Sequence, residues 1–280
     1  MPSSFSDDGG PVSELVRFFR HGKVAVLTGA GCSTESGIPD YRGPTTGRMP
    51  RQPIQHAAFL RNALVRRRYW ARSFWGWPKF AAARPNAAHA ALATLERRGW
   101  LSGLITQNVD GLHHQAGSHR VVELHGALSR VVCLSCQSEM ARSDLQVELA
   151  ALNADLAGEA ELAPDGDAEV SASWLERFQS PVCGCGGDLM PAVVFFGGHV
   201  PPSVLSEAWG VLEQAEALLV VGSSLAVFSG YRFVKRAAEQ GKPVAILNRG
   251  ETRGDALAAL RIEGSAGPVL SALARRLDRA

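Results

Sequence analysis

The chain has 280 residues, of which 46% are apolar, and its formal net charge is +2 at pH 7. This high apolar content excludes a globally disordered chain. The small net charge gives no reason to expect a nucleic-acid partner. The length suits one large domain, or one domain that carries a smaller insertion.

The apolar runs are short, and the N-terminus carries no targeting pattern. The longest runs, such as Ala217–Val221, fall far short of the roughly 20 residues that span a bilayer. The first ten residues include two Asp and no apolar run, which fits neither a secretory signal nor an Arg-rich transit peptide. Five cysteines without an export signal do not suggest disulfides. We therefore predict a cytoplasmic protein that binds no membrane; its oligomeric state is left open, and a monomer is plausible.

Four apolar, strand-like runs alternate with helical sequence. In chain order they are 23–28, Leu101–Thr106, Ala217–Val221 and 243–247. A helix-like segment, 231–240, lies between the last two and is followed by Gly241, as expected at a helix end. This alternation predicts an α/β fold with a Rossmann-like, doubly wound parallel sheet. Each run ends in small or polar residues, where ligands bind in open α/β sheets.

Two stretches interrupt this alternation of strands and helices and predict a smaller inserted domain. Residues 45–84 are rich in Arg and Trp and look helical, as in 54–70, with Pro78 closing the region. Residues 129–190 carry a cysteine pair near each end, with helical sequence and a turn at 164–167 between them. We expect a Rossmann-like domain built from 12–44, 85–128 and 191–280. The small domain then consists of a helical module, 45–84, and a zinc-binding module, 129–190.

A glycine-rich turn follows the first strand. Glycines allow a pyrophosphate to approach the backbone, and a helix N-terminus supplies amide donors. After Gly29 and Gly31 the next glycine is Gly37, so the dehydrogenase pattern G-x-G-x-x-G is not met. A plain structural turn is the alternative. The polar loop that follows is too long for one, which suggests a segment covering a cofactor; its polar residues are Ser33, Thr34, Glu35, Asp40 and Arg42.

Four of the five cysteines form two close pairs separated by residues 137–182. The pairs are Cys133-x-x-Cys136 and Cys183-x-Cys185, and they suit a tetrahedral Zn²⁺ held by four thiolates. A site closed by four thiolates is structural, so we predict one structural zinc per chain. The second pair is one residue shorter than usual, and metal-free cysteines are the alternative. Cys32 is unpaired in this scheme and is interpreted as a small packing residue.

Five segments, in this order along the chain, resemble the sirtuin family of NAD-dependent lysine deacylases. They are 29–43, 106–114, 123–126, 193–198 and 222–225. The resemblance extends from about residue 12 to the C-terminus. Four further segments are similar to the class II branch of the sirtuins, namely 51–56, 68–72, 162–167 and 229–233.

The resemblance implies a reaction and a base. Nicotinamide leaves C1′ of the ribose of NAD, the co-substrate, as the acyl-lysine oxygen attacks; a base then activates a ribose hydroxyl, which attacks the acyl carbon. The acyl group thereby passes from lysine on a protein or peptide to ADP-ribose. His125, in Glu-Leu-His-Gly, matches the family's catalytic segment, and an unperturbed imidazole has a pKa of about 6.5. Without the resemblance, a lone His at a strand end would be interpreted as a core or capping residue.

The resemblance also assigns the NAD site. Gln107 and Asn108 would orient the ribose, with Asn108 part of the catalytic set, and Asp110 would hold the nicotinamide carboxamide; a plain Asn/Asp turn is the alternative. Tyr41 stands where many sirtuins have a Phe that shields the ribose. The complete predicted set is Gly29, Ala30, Gly31, Ser33, Thr34, Glu35, Asp40, Tyr41, Arg42, Gln107, Asn108, Asp110, Gly222, Ser223, Ser224, Asn248, Arg249, Gly250 and Ala266.

By the same resemblance, the peptide substrate adds a strand against segments 193–198 and 222–225, a mode that reads backbone more than side chains. The predicted contacts in the first segment are Val193, Phe195, Phe196 and Gly197. Tyr69 and Arg72 share a helix face and resemble the pair with which class III sirtuins hold acidic acyl groups. This predicts activity on dicarboxylic acyl-lysines; a surface salt bridge is the alternative.

Other functions stay open at this point. Protein ADP-ribosylation uses the same C1′ chemistry with another nucleophile, and a non-enzymatic NAD sensor would use the same groove without needing His125. A dehydrogenase is disfavoured by the interrupted glycine pattern. A zinc-ribbon interaction module would explain the cysteines alone.

Overall fold

The computed structural model describes residues 10–40, 54–156, 161–162, 168–169 and 172–277. Its strands, in chain order, are β1 (Val24–Thr28), β2 (Leu101–Thr106), β3 (Val121–Glu123), β4 (Gly126–Cys133), β5 (Glu139–Ala141), β6 (Glu161–Leu162), β7 (Ala168–Glu169), β8 (Leu189–Val193), β9 (Ala217–Val221), β10 (Val244–Asn248) and β11 (Leu260–Glu263). Its helices are α1 (Pro11–Phe19), α2 (His56–Arg61), α3 (Ala63–Ala82), α4 (Ala87–Arg97), α5 (Leu112–Gln115), α6 (Arg142–Leu152), α7 (Ala172–Arg177), α8 (Pro202–Glu213), α9 (Phe228–Glu239) and α10 (Ala266–Arg276).

The larger sheet has six strands in the order β11-β10-β9-β1-β2-β3, and every pairing in it is parallel. After β1 the chain extends the sheet on one side through β2, and later on the other side through β9. This reversal of direction beside β1 is the point at which open α/β sheets bind their ligands. It lies at the carboxyl ends of β1, β2 and β9, directly after which the glycine-rich turn and the polar segments begin.

Successive residues of the central strands face opposite layers of helices. In β1, Val26 packs in the core cluster that contains α1, α4 and α10 residues, whereas Leu27 packs in the cluster that contains α8 and α9 residues. All residues of β1, β2, β9 and β10 are buried, as expected of parallel strands covered on both faces. The predicted doubly wound, Rossmann-like sheet is therefore confirmed.

The strand predictions were close where the apolar runs are long. Strands β2 and β9 have the predicted bounds, the run 23–28 begins one residue before β1, and the run 243–247 is shifted by one residue from β10 at both ends. The strands β3 and β11 were missed because each is only three or four residues long. The helix predicted over 231–240 begins earlier, at Phe228, and Gly241 follows it with φ +68°.

The helix predicted over 54–70 is wrong as one element, because Asn62 divides it. Asn62 has an extended backbone, and its side-chain oxygen accepts hydrogen bonds from the amides of Leu64 (2.9 Å) and Val65 (3.4 Å). An Asn at this position caps the helix that follows it, which here is α3. The chain therefore makes a short α2 and then a new helix in another direction.

The prediction that Pro78 closes the helical region is also wrong, since α3 continues to Ala82. A proline inside a helix leaves the carbonyl four residues earlier without its usual donor. Here that carbonyl belongs to Phe74, and the side-chain amide of Gln146 on α6 donates to it at 2.9 Å. A tertiary hydrogen bond thus replaces the missing helical one.

A second, three-stranded antiparallel sheet has the order β5-β4-β8. It packs with α3, α6 and α7 around Trp70, Trp174 and Leu189. The short strands β6 and β7 pair antiparallel, and the predicted turn between them lies outside the described residues. None of the described helices is both long and apolar enough to cross a membrane.

Candidate active site

Two glycine turns meet at the reversal point of the sheet. The amide of Gly31 donates to the carbonyl of Gly222 at 2.8 Å, so the turns after β1 and β9 are joined backbone to backbone. A Cβ on Gly31 would lie 3.0 Å from Gly222, and one on Gly222 would lie 2.4 Å from the amide nitrogen of Cys32. Gly222 also has φ +61°, a conformation that glycine adopts without strain. Only glycine fits this junction, which leaves an open backbone surface for a dinucleotide.

A cleft opens beside this junction, and eight residues of the predicted NAD set line it. The predicted residues in its wall are Gly31, Thr34, Glu35, Asp40, Gly222, Asn248, Arg249 and Ala266. Leu247, Gly264 and Ser265 also line it and were missed. A small, polar Gly-Ser pair directly after the short strand β11 was the available signal.

The N-terminus of α10 forms one wall of this cleft. The amide of Gly267 in its first turn donates to a carboxylate oxygen of Glu35 at 3.4 Å. Arg249 contacts the hydroxyl of Ser265 across the cleft mouth. Amides at a helix start favour negatively charged groups, and a phosphate of a ligand at this end of the cleft would take the place of the Glu35 carboxylate. The residues present therefore fit NAD.

A polar network joins the glycine turn to the end of β2. The Asn108 amide donates to the carbonyl of Gly29 and to the hydroxyl of Ser33, both at 3.0 Å. Ser33 in turn donates to the carboxylate of Asp110 at 2.7 Å. The structure thus brings together residues from two predicted segments 75 residues apart and holds the Asp110 carboxylate beside the turn.

Gln107 ties three strand ends together. Its side-chain amide donates to the carbonyl of Thr28 (3.2 Å) and to the hydroxyl of Ser223 (2.9 Å). Gly230 of α9 packs directly on it, because a Cβ there would lie 2.4 Å from the Gln107 side-chain oxygen. The backbone carbonyl of Gln107 points instead to His125.

His125 lies between β3 and β4 with both ring nitrogens engaged. Its Nδ1 is 2.9 Å from the carbonyl oxygen of Gln107, which only accepts hydrogen bonds, so Nδ1 carries the proton. Its Nε2 therefore keeps the lone pair and accepts from the hydroxyl of Ser229 at 2.7 Å. The arrangement fixes one tautomer and aims a basic nitrogen at the start of α9.

The pKa of His125 is lowered, chiefly by burial and also by the positive charge of Arg232; the hydrogen bond to Gln107 acts in the opposite direction. The imidazole is consequently neutral at physiological pH and ready to accept a proton. Ser229 and Arg232 lie one turn apart on α9 and had been assigned no role in the site. They fall in the segment 229–233 that resembles class II sirtuins, which was the signal for them.

A groove of about 480 Å³ adjoins the segment that carries His125. Leu124 and Gly126, which flank His125, line it together with the predicted substrate residue Val193. The amide of Val194 donates to the His125 carbonyl at 2.9 Å, so the two segments are in register. A chain laid along 193–198 would pass the imidazole.

The predicted acyl-pocket residues lie on α3, where Tyr69 and Arg72 are both half-buried. The Tyr69 ring packs edge-on against Phe59 and Phe195, with centroids 5.5 Å away in each case. Phe195 was predicted to contact substrate. An aromatic wall therefore adjoins the segment that follows β8.

Several predicted residues shape the loops through their backbone. The carbonyls of Phe196 and Ser224 accept from the amides of His56 (2.8 Å) and Arg253 (3.0 Å). Gly197 has φ +76°, and Ala30 begins a short 3₁₀ turn. The Gly250 amide donates to Glu263 at 2.8 Å. Two predicted residues, Tyr41 and Arg42, lie outside the described residues.

The four paired cysteines converge in the small sheet. The sulfurs of Cys133 and Cys185 are 3.6 Å apart, those of Cys136 and Cys183 are 3.7 Å apart, and all four lie within 4.8 Å of one another. Zn–S bonds of about 2.3 Å in a tetrahedron place the sulfurs roughly 3.8 Å apart, so the spacing fits zinc.

The shortened second pair does not prevent this arrangement, because glycines follow it. The Cys183 amide donates to the carbonyl of Gly187 at 2.9 Å, and Gly186 has φ +82°, so the chain turns back tightly. A Cβ on Gly187 would lie 2.8 Å from the Cys133 sulfur. The site is that of a structural zinc.

Cys32 belongs to another buried group, with His89 and His113. Thr28 donates its proton to Thr106, so the 3.0 Å contact with Nε2 of His113 is donated by the imidazole. Nδ1 of His89 accepts the amide of its own helix cap, so its Nε2 carries a proton. Burial lowers the pKa of His113 to about 3 and raises that of the Cys32 thiol. His89 thus presents N–H rather than a lone pair, and this group is packed structure rather than a metal site.

Comparisons with known proteins agree with the geometry. The Sir2 family profile matches residues 29–229. A human protein, NAD-dependent protein lipoamidase sirtuin-4, mitochondrial, is 50% identical over 276 residues, which cover 96% of this chain and 88% of that protein. An NAD-dependent protein deacetylase of Xanthomonas axonopodis is 51% identical over 256 residues, covering 91% and 87%. The solved structure "Sir2-p53 peptide-NAD+" is 28% identical, with a TM-score of 0.75, and the match covers 96% of this chain and 99% of that one.

The fold and the site define an NAD-binding α/β protein with a structural zinc module. With the family profile and relatives near half identity over most of its length, the chain belongs to the Sir2 family. It is an NAD-dependent protein deacylase of the deacetylase type, with NAD as its co-substrate. The resemblance drawn from the sequence is confirmed. The alternatives of ADP-ribosyl transfer and NAD sensing are not favoured, because these relatives are named for acyl-removing activities.

Proposed function

We propose that Nε2 of His125 is the general base of the deacylase reaction. The observation that carries this proposal is the fixed tautomer, with Nδ1 protonated toward Gln107 and the basic Nε2 facing Ser229 at 2.7 Å. A ribose hydroxyl that replaces the Ser229 hydroxyl at Nε2 would give up its proton there while attacking the acyl carbon. The neutral imidazole at physiological pH is the form this step requires.

The remaining polar residues are assigned to NAD. Gln107 and Asn108 orient the ribose, and Asp110, held by Ser33, receives the nicotinamide carboxamide. Gly29, Gly31 and the α10 N-terminus take the pyrophosphate, while Ser223, Ser224 and Asn248 bind the adenosine half. The domain division at 44/45, 84/85, 128/129 and 190/191 belongs to the same proposal; two of these bounds, 128/129 and 190/191, fall inside β4 and β8.

The pH dependence tests the base. Because the positive charge of Arg232 lowers the pKa of His125, Arg232→Met should raise that pKa and move the acid limb of kcat/KM to higher pH, by roughly 0.5–1 unit. The measurement is a pH profile with an acetyl-lysine peptide. The control is Lys235→Met, an exposed cation on the same helix that pairs with Glu239. A limb that stays in place, or moves to lower pH, would contradict the assignment.

The substrate is an acylated lysine in a protein or peptide, and the half-buried rings of Tyr69 and Phe195, packed on the buried Phe59, form one wall of the acyl pocket. Aromatic rings suit long apolar acyl groups, and the human relative is named a lipoamidase, so lipoyl-lysine is one candidate. Arg72 lies one turn from Tyr69 and suits the terminal carboxylate of a glutaryl-type group. Dicarboxylic acyl-lysines are the class we propose beyond acetyl.

A peptide panel tests this acyl assignment. We expect Arg72→Ala to lower the ratio of glutaryl to acetyl turnover about tenfold or more, because a charge-assisted hydrogen bond to the carboxylate is lost. Acetyl-, glutaryl- and lipoyl-lysine peptides of one sequence would be compared by the formation of acyl-ADP-ribose and nicotinamide. Arg68→Ala, at an exposed position on the same helix, is the matched control. An unchanged glutaryl-to-acetyl ratio in Arg72→Ala would rule the pocket role out.

The cytoplasmic location stays a prediction. The human relative is named as mitochondrial, and that name does not support it. Fractionation of the source cells with an antibody to this chain would decide.

A further inference from the structure

Arg232 is a cation close to His125, and it has no anionic partner in the part of the chain that the structure describes. Arg232 lies three residues after Ser229 on α9, so the two side chains share a face of the helix. Its charge is close enough to His125 to lower the pKa of the imidazole. Among the described residues, no carboxylate forms an ion pair with Arg232, and its Nε is buried without a hydrogen-bond partner. A buried, unpaired N–H is costly unless a ligand satisfies it.

An exposed apolar surface adjoins Arg232 at the start of α9. The guanidinium lies over the ring of Phe228, 5.2 Å from its centroid. Phe228 is 52% exposed and Val227 is 37% exposed, so the start of α9 presents an uncovered apolar surface beside the cation. Arg232 is not among the residues that line the cleft beside the Gly31–Gly222 junction.

The other charges around the groove are already paired. Arg130 contacts Glu123 at 3.3 Å, and Glu123 also lies 3.6 Å from His114. On the small-sheet side, Arg66 pairs with Asp188 at 2.8 Å. Arg232 therefore differs from these charged residues, because no described carboxylate pairs with it. A ligand could supply the missing anion.

We propose that Arg232 binds an acidic side chain of the protein substrate, an Asp or Glu within two residues of the acyl-lysine. This inference rests on the proposed function, in which a peptide lies along 193–198 and passes His125. An extended peptide joined by its backbone gives little sequence preference, and specificity comes from pockets for its side chains. A guanidinium beside an aromatic ring suits a carboxylate, which the terminal nitrogens can bind.

The test compares acetyl-lysine peptides that differ only in Asp, Ala or Lys at the two positions on either side of the acetyl-lysine. They are assayed at pH 8 with saturating NAD. We expect the wild type to favour one acidic peptide about tenfold or more in kcat/KM, through KM for the peptide and without change in KM for NAD. Arg232→Met should remove that preference, and Arg232→Glu should reverse it toward the Lys peptide.

The controls separate the outcomes. Lys235→Met should keep the wild-type preference, and turnover of the Ala peptide by each variant reports that it is folded. Equal turnover of acidic and neutral peptides by the wild type would overturn the proposal, and so would a preference that survives in Arg232→Met. The proposal would also be overturned if Arg232→Met changed the ratio of glutaryl- to acetyl-lysine turnover, because Arg232 would then bind the carboxylate of the acyl group rather than that of a neighbouring side chain. A wrong assignment of the base would give a different result from a wrong assignment of Arg232, because the His125→Ala variant would then still turn over every peptide.

Discussion

His125→Ala is expected to lower the formation of acyl-ADP-ribose from acetyl-lysine peptide by about 10²–10⁴-fold, the range that a general base contributes. The imidazole supplies the lone pair at Nε2, and no other described side chain is hydrogen-bonded to the Ser229 hydroxyl in that position. The measurement follows nicotinamide and acyl-ADP-ribose together, because a deacylase makes them in equal amounts. Binding of NAD, measured separately, should persist, since the glycine turn and the α10 end are untouched.

The matched control is His114→Ala. His114 follows the buried His113 on α5, but its side chain is 48% exposed and lies 3.6 Å from Glu123 rather than at Gln107. It should keep nearly full activity. Thermal unfolding of both variants checks that the fold is intact. If His125→Ala retained more than about a tenth of wild-type turnover, a different base would have to be sought.

Cys133→Ser should remove the zinc and destabilise the small sheet. Cys133 is fully buried, its sulfur lies 3.6 Å from that of Cys185, and the amides of Ser135 and Cys136 donate to it. Zinc binding contributes about 10–16 kcal/mol in isolated zinc-finger peptides, so losing one ligand is far costlier than an ordinary core substitution. We expect the metal content to fall from one zinc per chain to near zero, with a large drop in unfolding temperature.

Activity should fall with it, because the same sheet positions the groove. β4 begins at Gly126, directly after the base, and pairs with β8 at Val193. Cys32→Val is the matched control, since it removes a buried thiol outside the zinc group and should keep the metal. A Cys133→Ser protein with one zinc per chain and unchanged unfolding temperature would show that these cysteines do not form the zinc site.

The elements that could be predicted from the sequence are those whose pattern lies within a few neighbouring residues. β2 and β9 were predicted with their exact bounds because each is a continuous apolar run, which is how a strand buried on both faces appears in sequence. The interruption at Asn62 and the passage of α3 through Pro78 were mispredicted for different reasons. The interruption arises because the side chain of one residue, Asn62, caps α3. The passage through Pro78 depends on Gln146, which lies 72 residues from the Phe74 carbonyl to which it donates.

The sequence by itself determined the family, and it predicted the strand ends at which ligands bind, the zinc ligands and the role of His125 as base, because each is carried by residue types at short, fixed spacings. Only the tertiary structure decided which tautomer His125 adopts and that Ser229, 104 residues away, faces its basic nitrogen. Only the tertiary structure placed the unpaired Arg232 beside it. Hydrogen-bond partners and electrostatic fields depend on distances across the fold, and these distances are set by packing rather than by spacing along the chain.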